Sequence, residues 1–131
     1  MLGLDTNVVV RYIMQDDAAQ SKVATRLVES LSSEEPGFIP LVAITELSWV
    51  LSASYRLKRH EIVTVFDLLL RTKELIIENA PLVWGAVRVY RDGSADFADC
   101  LIERSAATAG CSKTITFDRF AARDSGMTLA I

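Results

Sequence analysis

Residues 2–13 read LGLDTNVVVRYI. An apolar run closes on one carboxylate, Asp5, followed by Thr6 and Asn7, with no further charge until Arg11. This pattern predicts a short strand over residues 1–5 and a helical turn over about Val8–Met14. Near the other end of the chain, TITFDRF (114–120) repeats the scheme, with an apolar strand in KTITF, then Asp118, then a short helix and turn in DRFAARDSG. A carboxylate closing a buried strand is costly unless it is satisfied or neutralised. Asp5 is therefore either a cap for the helix that follows or a ligand for something bound there.

Working outward, Asp17 with Gln20 three residues later forms a capping-box pattern. It predicts a helix to about Leu31, with Val23, Leu27, Val28 and Leu31 on one face. SSEEPG is a loop, GFIP a short strand, and LVAITELSWVLSASY a helix with Ile44, Leu47 and Leu51 at helical spacing. HEIVTVFDLLLRT is amphipathic through Ile62, Val65, Phe66 and Leu69, and ELIIEN is a strand. Pro81 suits the first turn of a helix running to about Tyr90 and stopping near Asp92-Gly93. A further helix spans Asp96–Ala109 with Gly110 as its stop, and MTLAI is a last strand. Strands alternating with helices imply crossover connections and a covered parallel sheet, hence an α/β fold. Ligands of such sheets gather beyond the carboxyl ends of the strands, the edge that would hold both Asp5 and Asp118.

Length and composition narrow the function classes. At 131 residues the chain suits a single domain over 1–131, with no repeat, low-complexity segment or linker. Half of it is apolar, which argues against disorder and hints at a covered partner surface. A net charge of -3 argues against binding nucleic acid by bulk electrostatics, though not against acting on it through local contacts. Cys100 and Cys111 lack CxxC spacing and fit reduced thiols. The N-terminus lacks a signal-peptide pattern and no stretch suits a membrane span, so a cytoplasmic, membrane-free protein is expected.

Each remaining carboxylate has a structural and a chemical explanation. Glu46 is the single charge between Phe38 and Tyr55; it marks either a solvated face shared with Ser48, Ser52 and Ser54 or a paired, functional acid. Asp96, Asp99 and Glu103 fall within an arc of roughly 60° on one helix face. Asp96 suits a cap as well as a site, Asp99 is a poorer cap, and Glu103 suits an exposed position or a pair with Lys or Arg. Asp118 suits a turn as well as a site. Trp49, one turn from Glu46, is either core or partner groove, with core preferred. The run RLKRH (56–60), containing the sole histidine His60, fits an exposed helix junction.

Taken together, Asp5, Glu46, Asp99 and Asp118 come from four segments that this topology can bring to one edge. Clustered carboxylates repel one another unless a cation neutralises them. Oxygen donors without Cys or His select Mg²⁺ or Mn²⁺, which suits phosphate-ester hydrolysis by an activated water. No Walker loop, GxGxxG or GxSxG motif competes, and a DxDxT phosphatase would need a carboxylate where Asn7 stands.

LDTNVVVRYI with a following QDD and Gln20, TEL on a helix, ADFADCLI, and TFDR near the end occur in the order found in PIN-domain ribonucleases, which this chain resembles. The likeness is to the toxins of VapBC-type toxin–antitoxin pairs and covers essentially the whole chain. It implies a three-layer α/β/α sandwich with a central parallel sheet and an acidic pocket that binds Mg²⁺ or Mn²⁺ and cleaves RNA. The family's acids fall on Asp5, Glu46, Asp99 and Asp118, with Asp96 as an additional acidic position and Thr6, Asn7 and Thr116 as polar support. Asp5 and Asp99 would be the principal metal ligands, with Asp96 and Asp118 as further candidates; Glu46 and Asp118 would position metal or water. The resemblance also implies a VapB-type antitoxin, a homodimer and a toxin–antitoxin hetero-oligomer. A housekeeping RNA-processing nuclease without antitoxin and a catalytically silent binding module are the alternatives.

Overall fold

The alternation of short strands and helices holds along residues 1–131 of the computed structural model. Its contacts divide into two units, Met1–Glu78 and Asn79–Ile131. In the first, β1 (Leu2–Gly3) leads through Asp5 into α1 (Thr6–Met14) and then α2 (Ala18–Glu29). There follow β2 (Gly37–Ile39), α3 (Leu41–Trp49), a π-helical turn (Val50–Ser54), α4 (Arg59–Arg71) and β3 (Leu75–Ile77). The three strands form one sheet in the order β1-β2-β3, parallel throughout, with Leu2 opposite Gly37 and Phe38 opposite Ile76.

Side-chain shape explains the sheet's centre. A Cβ on Gly37 would lie 2.9 Å from Leu31 Cδ1, 3.0 Å from Leu4 Cδ1 and 3.1 Å from Leu75 Cδ2. Only glycine lets these three leucines close over the central strand. Ile44, Leu47 and Leu51, at the expected helical spacing, are fully buried, as are Ile62, Phe66 and Leu69 of α4.

Four sequence expectations are corrected here. The first strand is confined to Leu2–Gly3, because Asp5 already caps α1. Helix α2 ends at Glu29 instead of Leu31: the Ser30 N–H reaches back to Arg26, Leu27 and Val28, and Leu31 buries itself beyond the helix. Val23 is 66% exposed, since α2 meets α1 through the small residues Ser21 and Ala24. Trp49, expected in the core, is 51% exposed, because Leu47, Ser48 and Leu51 fill the inward positions around it.

The second unit contains α5 (Ala80–Asp92), α6 (Phe97–Thr108), β4 (Ile115–Thr116), α7 (Arg119–Asp124) and β5 (Thr128–Leu129). Pro81 sits in the first turn of α5, which stops at Gly93 as its sequence predicts. Gly110, at φ 96°, takes the left-handed conformation that ends α6. Helices α5 and α6 pack together, joined by an edge-to-face pair of Tyr90 and Phe97 with centroids 5.6 Å apart. Strands β4 and β5 pair in parallel, with α7 against both. Every paired strand in the chain is therefore parallel, as the α/β reading requires.

Candidate active site

In the first unit the chain leaves β1 through buried Leu4 and turns at Asp5, whose backbone is extended and whose carboxylate accepts the Thr6 N–H at 2.8 Å. Asp5 itself is exposed, so the cost of burying a charge, which first drew attention to it, does not arise. Glu46 is exposed as well, because it lies on the outward side of α3 opposite Ile44 and Leu47. It is not idle: the hydroxyl of buried Thr6 donates to Glu46 Oε1 at 2.7 Å, across 40 residues of sequence. A cavity of about 560 Å³ is lined by Asp5, Thr6, Asn7, Arg11, Glu46 and Tyr55, among others. The π-helical turn after α3 delivers Ser54 and Tyr55 to its wall.

Arg11, Asp16 and Tyr55 form a closed set beside these acids. Arg11 Nη1 donates to Asp16 Oδ1 at 3.1 Å and to Tyr55 Oη at 3.0 Å, while the Tyr55 hydroxyl donates to Asp16 Oδ2 at 2.7 Å. Arg11 Nε also donates to Gln20 Oε1 at 2.8 Å. The Tyr55 hydrogen bond, with help from Arg11, holds the Asp16 carboxyl below the usual range. The same bond to Asp16 pushes the Tyr55 hydroxyl up. Sequence reasoning gave Arg11, Asp16 and Tyr55 no role in a site. The available signal was an Arg two turns into the helix that Asp5 opens.

The second unit holds the other acids. Asp96 occupies the N-cap position of α6 but makes no capping hydrogen bond, leaving its carboxylate uncommitted by the helix. Asp99 follows in the first turn and is half-buried; burial foremost, then the negative charges of Asp96 and Asp118, raise its pKa. Asp118 caps α7, accepting the N–H groups of Phe120 at 2.8 Å and Ala121 at 3.2 Å. Thr116 steadies that turn, its Oγ1 accepting the Asp118 N–H at 3.0 Å. Glu103 pairs with its neighbour Arg104, as one of its sequence readings allows: Nε and Nη2 of Arg104 donate to its two oxygens at 2.6 and 3.0 Å.

The donors thus form two groups, Asp5 with Glu46 and Asp96 with Asp99 and Asp118. All are hard oxygens, the chemistry of a Mg²⁺-like ion and not of zinc. In this structure no three or more His, Cys, Asp or Glu side chains are gathered closely enough to hold a metal ion.

A family model for the PIN domain matches residues 3–123. The chain belongs to the PIN domain family. Its α/β fold with parallel strands is the fold class read from the sequence. This PIN domain is also similar to the VapC ribonuclease of Aquifex aeolicus (strain VF5), with 25% identity over 116 residues. That alignment covers 88% of this chain and 86% of the relative. No solved structure matches the chain significantly. No helix of this PIN domain is long and apolar enough to cross a membrane.

Proposed function

We propose that the chain is a divalent-metal-dependent endoribonuclease, the toxin of a type II toxin–antitoxin pair. The observation that carries this is a PIN match over residues 3–123, joined to likeness with a VapC ribonuclease along 88% of the chain. The same match supports reading residues 1–131 as one PIN-like nuclease domain. Asp5, Glu46, Asp99 and Asp118 carry the reaction, with Asp96 as a further acid and Thr6, Asn7 and Thr116 as polar support.

Asp5 and Asp99 would be the principal holders of Mg²⁺ or Mn²⁺, assisted by Asp96 and Asp118. The bound ion supplies charge neutralisation at the phosphate and a water acidic enough to act near neutral pH. The protein's own contribution is orientation. Thr6 fixes Glu46 through its 2.7 Å hydrogen bond, so that carboxylate is held ready to position the attacking water. Thr116 and the capping bonds to α7 fix Asp118 in the same manner. In-line attack on a phosphodiester then expels the 3′-oxygen.

The partners on this proposal are RNA, a VapB-type antitoxin and a second copy of the chain, in a toxin–antitoxin hetero-oligomer in the cytoplasm. Exposed apolar side chains such as Val42 and Trp49 on α3 supply surface for protein partners. Two measurements test the function. RNA cleavage with Mg²⁺ or Mn²⁺ is expected from the wild type and lost in Asp5→Asn and Asp99→Asn; equal rates in all three would sink the assignment. Induced expression is expected to arrest growth unless the neighbouring gene product is co-expressed.

A further inference from the structure

Arg11 raises a question that the acids leave open. It lines the same cavity as Asp5 and Glu46, yet it is ion-paired with neither. Its counter-ion is Asp16, and Tyr55 bridges the two, so the guanidinium is not there to neutralise the carboxylates. Three hydrogen bonds engage Nε and Nη1, while Nη2 makes none. A guanidinium clamped along one edge, with a donor pair left over in a concave acidic cavity, is organised for an anionic oxygen ligand.

A phosphate entering beside Asp5 and Glu46 meets two negative charges, and a fixed positive group offsets part of that field. Arg11 stands six positions along from Asp5, about 9 Å along the axis of α1. That separation suits a neighbouring phosphate of the same strand better than a second contact to the one being cleaved. We propose that Arg11 binds the RNA phosphate adjacent to the scissile one, with Tyr55 and Asp16 as positioning residues that act through it. This rests on the ribonuclease assignment above. It makes α1 the element that sets the register of the strand: its start carries Asp5 and its last turn reads the next phosphate.

The test uses binding separately from cleavage. Fluorescence anisotropy with a short labelled single-stranded RNA is measured for Asp99→Asn protein, which keeps Arg11, over a range of salt concentrations. Adding Arg11→Gln is expected to weaken binding about tenfold or more, as for loss of a charge-assisted hydrogen bond. It should also flatten the slope of log affinity against log salt by about 0.7, the contribution of one phosphate contact on a single strand. In otherwise wild-type protein the same change should raise KM while leaving kcat within about threefold, a split that follows from lost uniform binding. Unchanged affinity and salt slope in a folded Arg11→Gln protein would overturn the proposal. If Arg11→Gln fails to fold, Arg11→Met decides: weaker binding with a flatter slope supports the contact, and wild-type values of both overturn it. If the Asp99→Asn protein binds no RNA at all, the ribonuclease assignment fails first and Arg11 falls with it, an outcome distinct from tight binding that ignores Arg11.

Discussion

Replacing Thr6 with Val removes one hydroxyl and little else, which isolates what the Thr6–Glu46 hydrogen bond contributes. Thr6 is 8% exposed and its Oγ1 lies 2.7 Å from Glu46 Oε1. Hydrogen bonds to charged groups are worth about 1.5–3 kcal/mol. Here the carboxylate is exposed and water replaces the lost donor, which brings the effect down to about 0.5–1.5 kcal/mol. The added methyl, buried at position 6, returns up to about 0.8 kcal/mol. Stability should therefore change by less than about 1 kcal/mol, measured by urea denaturation. Activity should change more. A freed Glu46 spreads over three staggered wells at χ1 and again at χ2, so the aligned rotamer falls to roughly a third to a ninth of its population. The expected loss in kcat/KM on an RNA substrate is three- to tenfold, or about 0.6–1.4 kcal/mol. In Glu46→Gln protein the substitution should have almost no further effect, because the side chain it aligns is already disabled. Wild-type cleavage by Thr6→Val, or an equal loss in the Glu46→Gln background, would refute the positioning role.

Three further perturbations separate structure from chemistry. Asp118→Asn keeps an acceptor for the Phe120 and Ala121 N–H groups, whereas Asp118→Ala does not; both should lose RNA cleavage, but only Ala should lose stability, by about 1 kcal/mol. Asp99→Asn should raise the thermal midpoint of metal-free protein near pH 7. Because the Asp99 pKa is raised, its ionised form opposes folding; the penalty is absent below the unfolded-state pKa and grows as pH climbs through the folded one. The gain should thus vanish in strongly acidic buffer, and a constant gain at every pH would count against a penalty for ionising half-buried Asp99 beside Asp96 and Asp118. Gly37→Ala should cost about 1–3 kcal/mol by overpacking three leucines, with Cβ contacts of 2.9–3.1 Å; a midpoint within a degree of wild type would show that those side chains yield.

Local signals carried most of the architecture. The Asp17 cap, Pro81 at the start of α5 and Gly110 at the end of α6 act within a single turn, so neighbouring residues suffice to place them. Periodicity found the buried face of α3 in Ile44, Leu47 and Leu51. It misplaced Val23, and the general preference of tryptophan for the core misplaced Trp49, because an apolar side chain is buried only where a neighbour arrives to cover it. The acids were legible one by one, but not their settings. Asp5, read as a charge closing a buried strand, is exposed and caps α1, while Glu46 takes the solvated position that was one of its two readings and also accepts the Thr6 hydroxyl.

The sequence by itself determined the order of strands and helices and the parallel α/β class, and it singled out the candidate acids, since each is written in spacings of a few positions. Only the tertiary structure decided what those acids touch. Thr6 meets Glu46 across 40 residues, and Arg11 meets Tyr55 across 44. Such pairs depend on how α1 seats against α3 and on the π-helical turn that brings Tyr55 round, and close packing over the whole unit sets both.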